Sequence, residues 1–321
     1  MISASKKSRL VLGVDGGGSK TAALIASLDS FGELHILGRG RGGPSNLRLA
    51  GKQRSLQSLD QAVDEALTEA GLQGRSLDYA VLALAGSSFS DVRDEVIAWA
   101  VSRNLSANVD IIHDAEPVLA SGAAEGRGVA LIVGTGSVAV GVNSKGQTAT
   151  LGGWGHWFGD KGSGFDLGCK ALSAVAEATD GIGPPTIMCE LVLKRLEIAD
   201  ARRILQKLTA TGDVRREVAA IAPIVLEAAE LRDPLANEIV KNAVTEAVKL
   251  VAAVADRLTF TKPYPLMLAG GIACRNRVFR KELISGLSLL SPPPDPVSIV
   301  DEPVNGCLKI ARDKLAASAS N

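Results

Sequence analysis

The stretch Val11 to Ile25, VLGVDGGGSKTAALI, runs from an apolar segment into a carboxylate, Asp15, and leaves through Lys20 and Thr21 into a second apolar segment. Both segments read as buried strands, Arg9–Asp15 and Thr21–Leu28. Between them, Gly16, Gly17 and Gly18 place three residues without side chains in succession. Such a turn lets backbone N–H groups approach phosphate oxygens with no Cβ in the way. It is not a P-loop. Ser19 intervenes between Gly18 and Lys20-Thr21, and a strand follows where that motif needs a helix. Asp15 would repel phosphate unless a cation lay between them. Mg2+, held by one or two carboxylates plus phosphate oxygens, suits that place.

Outward from this stretch, DSFG at Asp29–Gly32 turns the chain into a third strand, Glu33–Leu37, and RGRGGPSN reads as a loop. A helix over Lys52–Ala70 stops at Gly71, and strand Tyr79–Leu84, helix Asp91–Arg103 and strand Val109–Ile112 follow. A further helix follows Asp114. The opening pattern then recurs. Strand Val129–Val133 ends in GTGS, Gly134 to Ser137; Val138–Val142 follows, and a turn at Asn143–Gly146 leads to Thr148–Leu151. A mostly helical stretch, Gly164–Leu258, precedes a strand at Leu266–Leu268, a helix from about Asn276, a strand at Val297–Val300 and a last helix, Val304–Ala316. Two copies of strand, glycine turn, strand, turn, strand imply a duplicated α/β architecture with a mixed sheet in each half and a cleft between the halves. Gly38 to Gly43 fits G-x-G-x-x-G formally. Pro44-Ser45-Asn46 then breaks the chain where a dinucleotide site would open a helix, which excludes that reading.

The 321 residues suffice for two domains, and 46% apolar with 22% charged residues is the balance of a globular enzyme. Lys plus Arg equals Asp plus Glu at 35 each, so charge points to no nucleic-acid or membrane partner. Four scattered Cys form no C-x-x-C pair, which suggests neither a zinc site nor a disulfide framework and makes a reducing cytoplasm the default. MISASKKSR has no apolar core of a signal peptide, and no apolar run reaches membrane-spanning length.

Five motifs occur in order: DGGGSKT from Asp15, Asp114 after its strand, Gly134 to Ser137, GGWGHWFGDKGSG at Gly152–Gly164, and LAGGIACRN at Leu268–Asn276. Together they resemble the N-acetylglucosamine kinases, which share the BadF/BadG/BcrA/BcrD ATPase family with the ATPase activators of benzoyl-CoA reductase and 2-hydroxyacyl-CoA dehydratase, inside the actin/hexokinase-like superfamily. The resemblance implies an α/β fold of two duplicated ribonuclease-H-like domains closing an interdomain cleft on ATP and an acceptor sugar. It divides the chain into residues 1–115, completed by the C-terminal helix 304–321, and 116–303 with a helical insertion. Asp15, Gly16, Gly17, Gly18, Ser19, Lys20 and Thr21 become the first phosphate loop, with Asp15 as the Mg2+ ligand. Gly134, Thr135 and Gly136 become the second, and Gly270 and Gly271 lie against adenosine. Asp114 becomes the catalytic base. Asn46, Asp114, Thr135, Gly153, Trp154 and Asp160 fall where the kinases contact sugar. The implied acceptor is N-acetylglucosamine, phosphorylated at its 6-hydroxyl, with glucosamine as the rival; a homodimer is left open.

Each residue has a plainer reading too. Asp114 is placed to cap a helix, Asp160 to make a turn, and Trp154 and Trp157 to anchor a core. His113 and His156 read as structural. Lys161 stands where these kinases usually carry an acid or amide, and Glu116-Pro117 where they carry small residues. An iron–sulfur activator is disfavoured because no Cys lies near Asp114 or GTGS. A non-catalytic sugar sensor is disfavoured because the base and both phosphate loops are present and no DNA-binding segment precedes Leu10.

Overall fold

The computed structural model describes residues 9–123 and 126–318; the leader-free reading of the N-terminus falls, Arg9 apart, outside them. The chain divides into two compact units, the first comprising the described residues through Gly126 and from Glu302 onward, the second Arg127–Asp301.

The first unit is built on β1 (Arg9–Gly16), β2 (Thr21–Leu28) and β3 (Leu34–Gly42), then α1 (Leu47–Ala50), α2 (Lys52–Glu69), β4 (Tyr79–Leu84), α3 (Ser90–Ser102), β5 (Val109–His113) and α4 (Glu116–Gly122). Its sheet runs β3-β2-β1-β4-β5, with β1, β4 and β5 parallel and β2 and β3 antiparallel. The central strands are apolar over most of their length because both faces are covered. Leu12, Val14, Leu82 and Leu84 pack on one side with Leu59, Val63, Val96 and Trp99 of α2 and α3. Val11, Leu24, Val81 and Ala83 pack on the other with Val304, Cys307 and Leu308 of the chain's last helix.

The expected loop RGRGGPSN proves to be strand as far as Gly42. Gly38, Gly40 and Gly42 face α2, and a Cβ on each would overlap the backbone carbonyls of Ala66, Ala62 and Ser58 in turn. Four residues of helix rise about 6 Å and two of strand about 6.6 Å, so the two spacings match and the helix lies directly on the strand. The glycines that mimic a dinucleotide motif are a packing surface.

The second unit repeats the plan with β6 (Gly128–Val133), β7 (Ser137–Val142) and β8 (Thr148–Gly152). After them come α5 (Gly164–Asp180), α6 (Met188–Leu196), α7 (Ile204–Thr209), α8 (Val214–Ala219), α9 (Ala222–Glu230) and α10 (Pro234–Arg257). The unit closes with β9 (Tyr264–Ala269), α11 (Gly271–Arg275), α12 (Arg277–Leu287) and β10 (Pro294–Ile299). Its order, β10-β9-β6-β7-β8, is that of the first sheet, again with three parallel strands and an antiparallel pair. β10 begins inside SPPPDP, three residues before the expected Val297. It is an edge strand whose register shifts between Pro294 and Val297, the setting that tolerates proline.

The last helix, α13 (Val304–Ser318), returns to the first unit. It lies so close to α4 that a Cβ on Gly306 would overlap the Pro117 carbonyl, and Lys309 donates to Ser121 O at 2.7 Å. That packing carries the first unit to Gly126, past the residue-115 boundary read from the motifs.

Candidate active site

In the first unit the candidate residues gather at the carboxyl ends of the parallel strands, where open α/β sheets bind ligands. Gly17 N–H closes the β1–β2 turn on Lys20 O at 3.0 Å. Gly16 O accepts from Ala85 N–H at 2.9 Å, and Gly17 O from Ser45 N–H at 3.0 Å. The turn's glycines differ in what they answer to. A Cβ on Gly16 would strike the Ser45 hydroxyl and Leu84, whereas one on Gly17 would find only Lys20 O, 3.9 Å away. The fold therefore requires Gly16, and the space above Gly17 is left for something else. Thr21 is buried, its hydroxyl donating to Gly43 O at 2.7 Å and lying 2.8 Å from Ser45 Oγ. It ties the turn to the segment carrying Asn46. Asn46 caps α1, its Oδ1 accepting from Arg48 N–H at 3.1 Å.

Asp15 sits at the end of β1, its carboxyl pushed up to about 7, first by burial, then by the negative field of Asp114, against the pull of Lys20. Asp114 follows β5. It does not cap α4: Ala115 holds that position with no side-chain cap bond. Its Oδ1 lies 2.9 Å from His113 Nδ1. The same nitrogen is 3.2 Å from Ala115 N–H. It cannot donate to Asp114 and accept from Ala115 at once, so a hydrogen on Nδ1 selects Asp114. The bond to Asp114 raises the His113 pKa, with the charges of Asp114 and Glu116 adding and burial opposing. Glu116 also accepts from His113 N–H at 2.9 Å.

In the second unit the glycine turn after β6 is fastened from three sides. Gly134 N–H donates to Gly136 O at 2.9 Å. Gly164 and Phe165, the first residues of α5, donate to Gly134 O at 2.7 Å and Thr135 O at 3.2 Å. Asp160 accepts from Ser137 N–H at 3.1 Å. Asp160 is only 5% exposed and holds φ at +55°, a conformation that costs a non-glycine residue about 1 kcal/mol. Its other oxygen accepts from Arg215 of α8 at 3.1 Å. Gly136 must be glycine here, since a Cβ would stand 2.7 Å from Asp160 Oδ1. Gly270, with φ at +90°, packs on Val133 and Gly134, and a Cβ there would overlap the Val133 carbonyl. Gly134 and Gly271 have room: the nearest atom to a Cβ on Gly134 is 3.8 Å away, and none lies within 4 Å of one on Gly271.

Gly153, with φ at +72°, donates to Ser137 O at 3.0 Å and leads into an aromatic loop. Trp154 and Trp157 are 78% and 81% exposed, so neither anchors a core. His156 is held between the rings of Trp157 and Phe165, with centroids 4.9 and 5.0 Å away. A cavity of about 200 Å3 lies in this unit, lined by Trp154, Phe158, Asp160, Lys161, Glu246 and Leu250 among others. Among the described residues, no group of three or more His, Cys, Asp or Glu could hold a metal by itself. Arg215 and Ser45 escaped the sequence reading. Arg215 lies in DVRREV, an exposed-looking polar helix with nothing local to set it apart, while Ser45 follows a proline and reads as loop.

The sequence profile of the BadF/BadG/BcrA/BcrD ATPase family matches residues 12–288. An N-acetylmuramic acid/N-acetylglucosamine kinase of Clostridium acetobutylicum is 31% identical over 310 residues, 95% of this chain and 99% of its own. An N-acetyl-D-glucosamine kinase of Dictyostelium discoideum is 28% identical over 291 residues, 87% of this chain and 88% of its own. The crystal structure of a candidate N-acetylglucosamine kinase from Chromobacterium violaceum aligns with a TM-score of 0.74 at 26% identity, over 94% of this chain and 98% of that one.

Proposed function

The chain belongs to the BadF/BadG/BcrA/BcrD ATPase family, and we propose that it is an ATP-dependent hexosamine kinase whose acceptor is the 6-hydroxyl of N-acetylglucosamine. The observation that carries this reading is the pair of carboxylates, Asp15 and Asp114, sharing one field at the ends of β1 and β5 beside a glycine turn with open space at Gly17. Phosphoryl transfer asks a protein for positioning and charge neutralisation more than for covalent chemistry.

Asp114 accepts the hydroxyl proton as the sugar oxygen bonds to the γ-phosphorus and the bond from that phosphorus to the bridging oxygen of ADP breaks. His113, donating to Oδ1, fixes the carboxylate's orientation. The backbone N–H groups around Gly17 and Gly134 bind phosphate oxygens. The open face at Gly271 takes the nucleoside, with Gly270 fixing the turn beneath it. Asn46, Thr135, Gly153 and Trp154 orient the sugar. Asp15 suits Mg2+: its carboxyl is crowded by a second carboxylate and answered, among the described residues, by Lys20, a site that gains from a bound cation. When bound, Mg2+ supplies charge neutralisation on the phosphate oxygens. A cytoplasmic setting suits cysteines that form no disulfide among the described residues, and an ATP substrate.

The test is ADP release by purified protein with Mg-ATP and a panel of N-acetylglucosamine, N-acetylmuramic acid, glucosamine and glucose, with the phosphorylated carbon read by NMR. We expect N-acetylglucosamine to drive turnover and to yield the 6-phosphate. Hydrolysis of ATP indifferent to every sugar would refute the reading.

A further inference from the structure

We propose that Arg215 is a specificity-determining residue, which turns the acceptor site against a protonated amino sugar and so towards an acetamido sugar. The inference rests on the hexosamine kinase reading and deepens it.

Asp160 would by itself be an ammonium site, a buried carboxylate on the loop that carries Gly153 and Trp154. The structure cancels that charge. Arg215 Nη2 meets Asp160 Oδ2 at 3.1 Å, and the Arg215 side chain is itself only 17% exposed. Its Nε is buried with no hydrogen-bond partner among the described residues, so the group is held there by the carboxylate and not by a full set of acceptors. The remaining charges around the cavity have the same consequence. Glu246 is answered by Lys249 at 2.7 Å. Lys161 is exposed, lines the cavity and has no ion-pair partner among the described residues. The balance of Asp160, Arg215, Glu246, Lys249 and Lys161 is one positive charge. A glucosamine ammonium entering this space meets no uncompensated anion and one uncompensated cation. An acetamido group brings no charge and can lie on Trp154 and Phe158.

Removing Arg215 alone leaves a buried, unpaired carboxylate, which a bound ammonium would satisfy. We expect Arg215→Met to raise the ratio of kcat/KM for glucosamine to that for N-acetylglucosamine by about tenfold or more. Arg215→Lys should hold the ratio near wild type. Asp160→Asn in the Arg215→Met background should return it, because no carboxylate is left to attract the amine. Lys161→Glu, an exposed change with little folding cost, should raise the ratio several-fold. A folded Arg215→Met protein with an unchanged ratio overturns the proposal, as does a raised ratio that persists in the double variant. Should Arg215→Met fail to fold, an unchanged ratio in Lys161→Glu overturns it. A wild-type protein that phosphorylates no hexosamine refutes the kinase reading instead, and the two failures are distinct.

Discussion

His113 Nδ1 stands 2.9 Å from Asp114 Oδ1, at the end of the last parallel strand of the first sheet. The contact gives Asp114 a fixed direction without recruiting it as a helix cap, since Ala115 holds the cap position of α4 with no side-chain cap bond. An aspartate after a strand and before a helix reads as a cap from sequence. In the structure its Oδ1 pairs with the neighbouring imidazole instead.

Asp114→Asn should therefore lower kcat by roughly a hundred- to ten-thousand-fold, the range for losing a positioned base. ATP binding should persist, because no phosphate contact is assigned to this side chain. Asn retains an oxygen for His113, so the folding cost should be about 1 kcal/mol, a charge-assisted bond exchanged for a neutral one. Steady-state kinetics, nucleotide titration calorimetry and thermal unfolding on one preparation check all three. Near wild-type kcat would remove Asp114 from the chemistry.

Asp15 gives a pH prediction of definite sign. Its folded pKa, pushed up to about 7 from an ordinary 3.8, means that the folded chain keeps a proton which the unfolded chain releases. The associated stability is complete below the unfolded value and is lost as pH rises through the folded one. The protein without ligands should lose thermal stability between about pH 4 and pH 7, and Asp15→Asn should lose less over the same interval. Mg-ATP, which favours the ionised carboxylate, should reduce the wild-type loss. Differential scanning fluorimetry across pH on both proteins reads the slopes; parallel slopes would show that Asp15 does not carry the proton.

Much of the fold was legible because buried strands announce themselves. The runs Leu10–Val14, Ala22–Ala26 and Tyr79–Leu84 are apolar because helices cover both faces, and the repeat of the glycine hairpin exposed the duplication. What failed to show depends on partners distant in sequence. Glycine was read as a chain breaker at Gly40 and Gly42, whereas α2 pressing on β3 makes it a strand residue. The partners of the Thr21 hydroxyl, Ser45 and Gly43, lie more than twenty residues away and leave no mark in the motif. Asp160 reads from sequence as a sugar contact or a turn aspartate and shows no counter-ion, because Arg215 lies in α8, 55 residues on.

Glycines that serve a phosphate turn and glycines that serve packing can be separated by experiment. A Cβ at Gly17 or Gly134 meets nothing closer than 3.8 Å in the ligand-free fold, and neither residue is among those with positive φ. Gly17→Ala and Gly134→Ala should leave the unfolding temperature unchanged or raise it slightly, since alanine reduces unfolded-chain entropy by up to about 1 kcal/mol. Both should raise KM for ATP about tenfold or more, because the added methyl occupies the space that a phosphate oxygen needs to reach the backbone N–H groups. Gly40→Ala should do the reverse. Its Cβ would overlap the Ala62 carbonyl in α2, so the helix must lift from the strand at a cost of several kcal/mol, on the order of an overpacked core. Whatever Gly40→Ala protein remains folded should bind ATP normally. Thermal unfolding paired with KM for ATP reads both axes. If Gly17→Ala proved unstable with an unaltered KM, the empty space above that turn would belong to the fold and not to a phosphate.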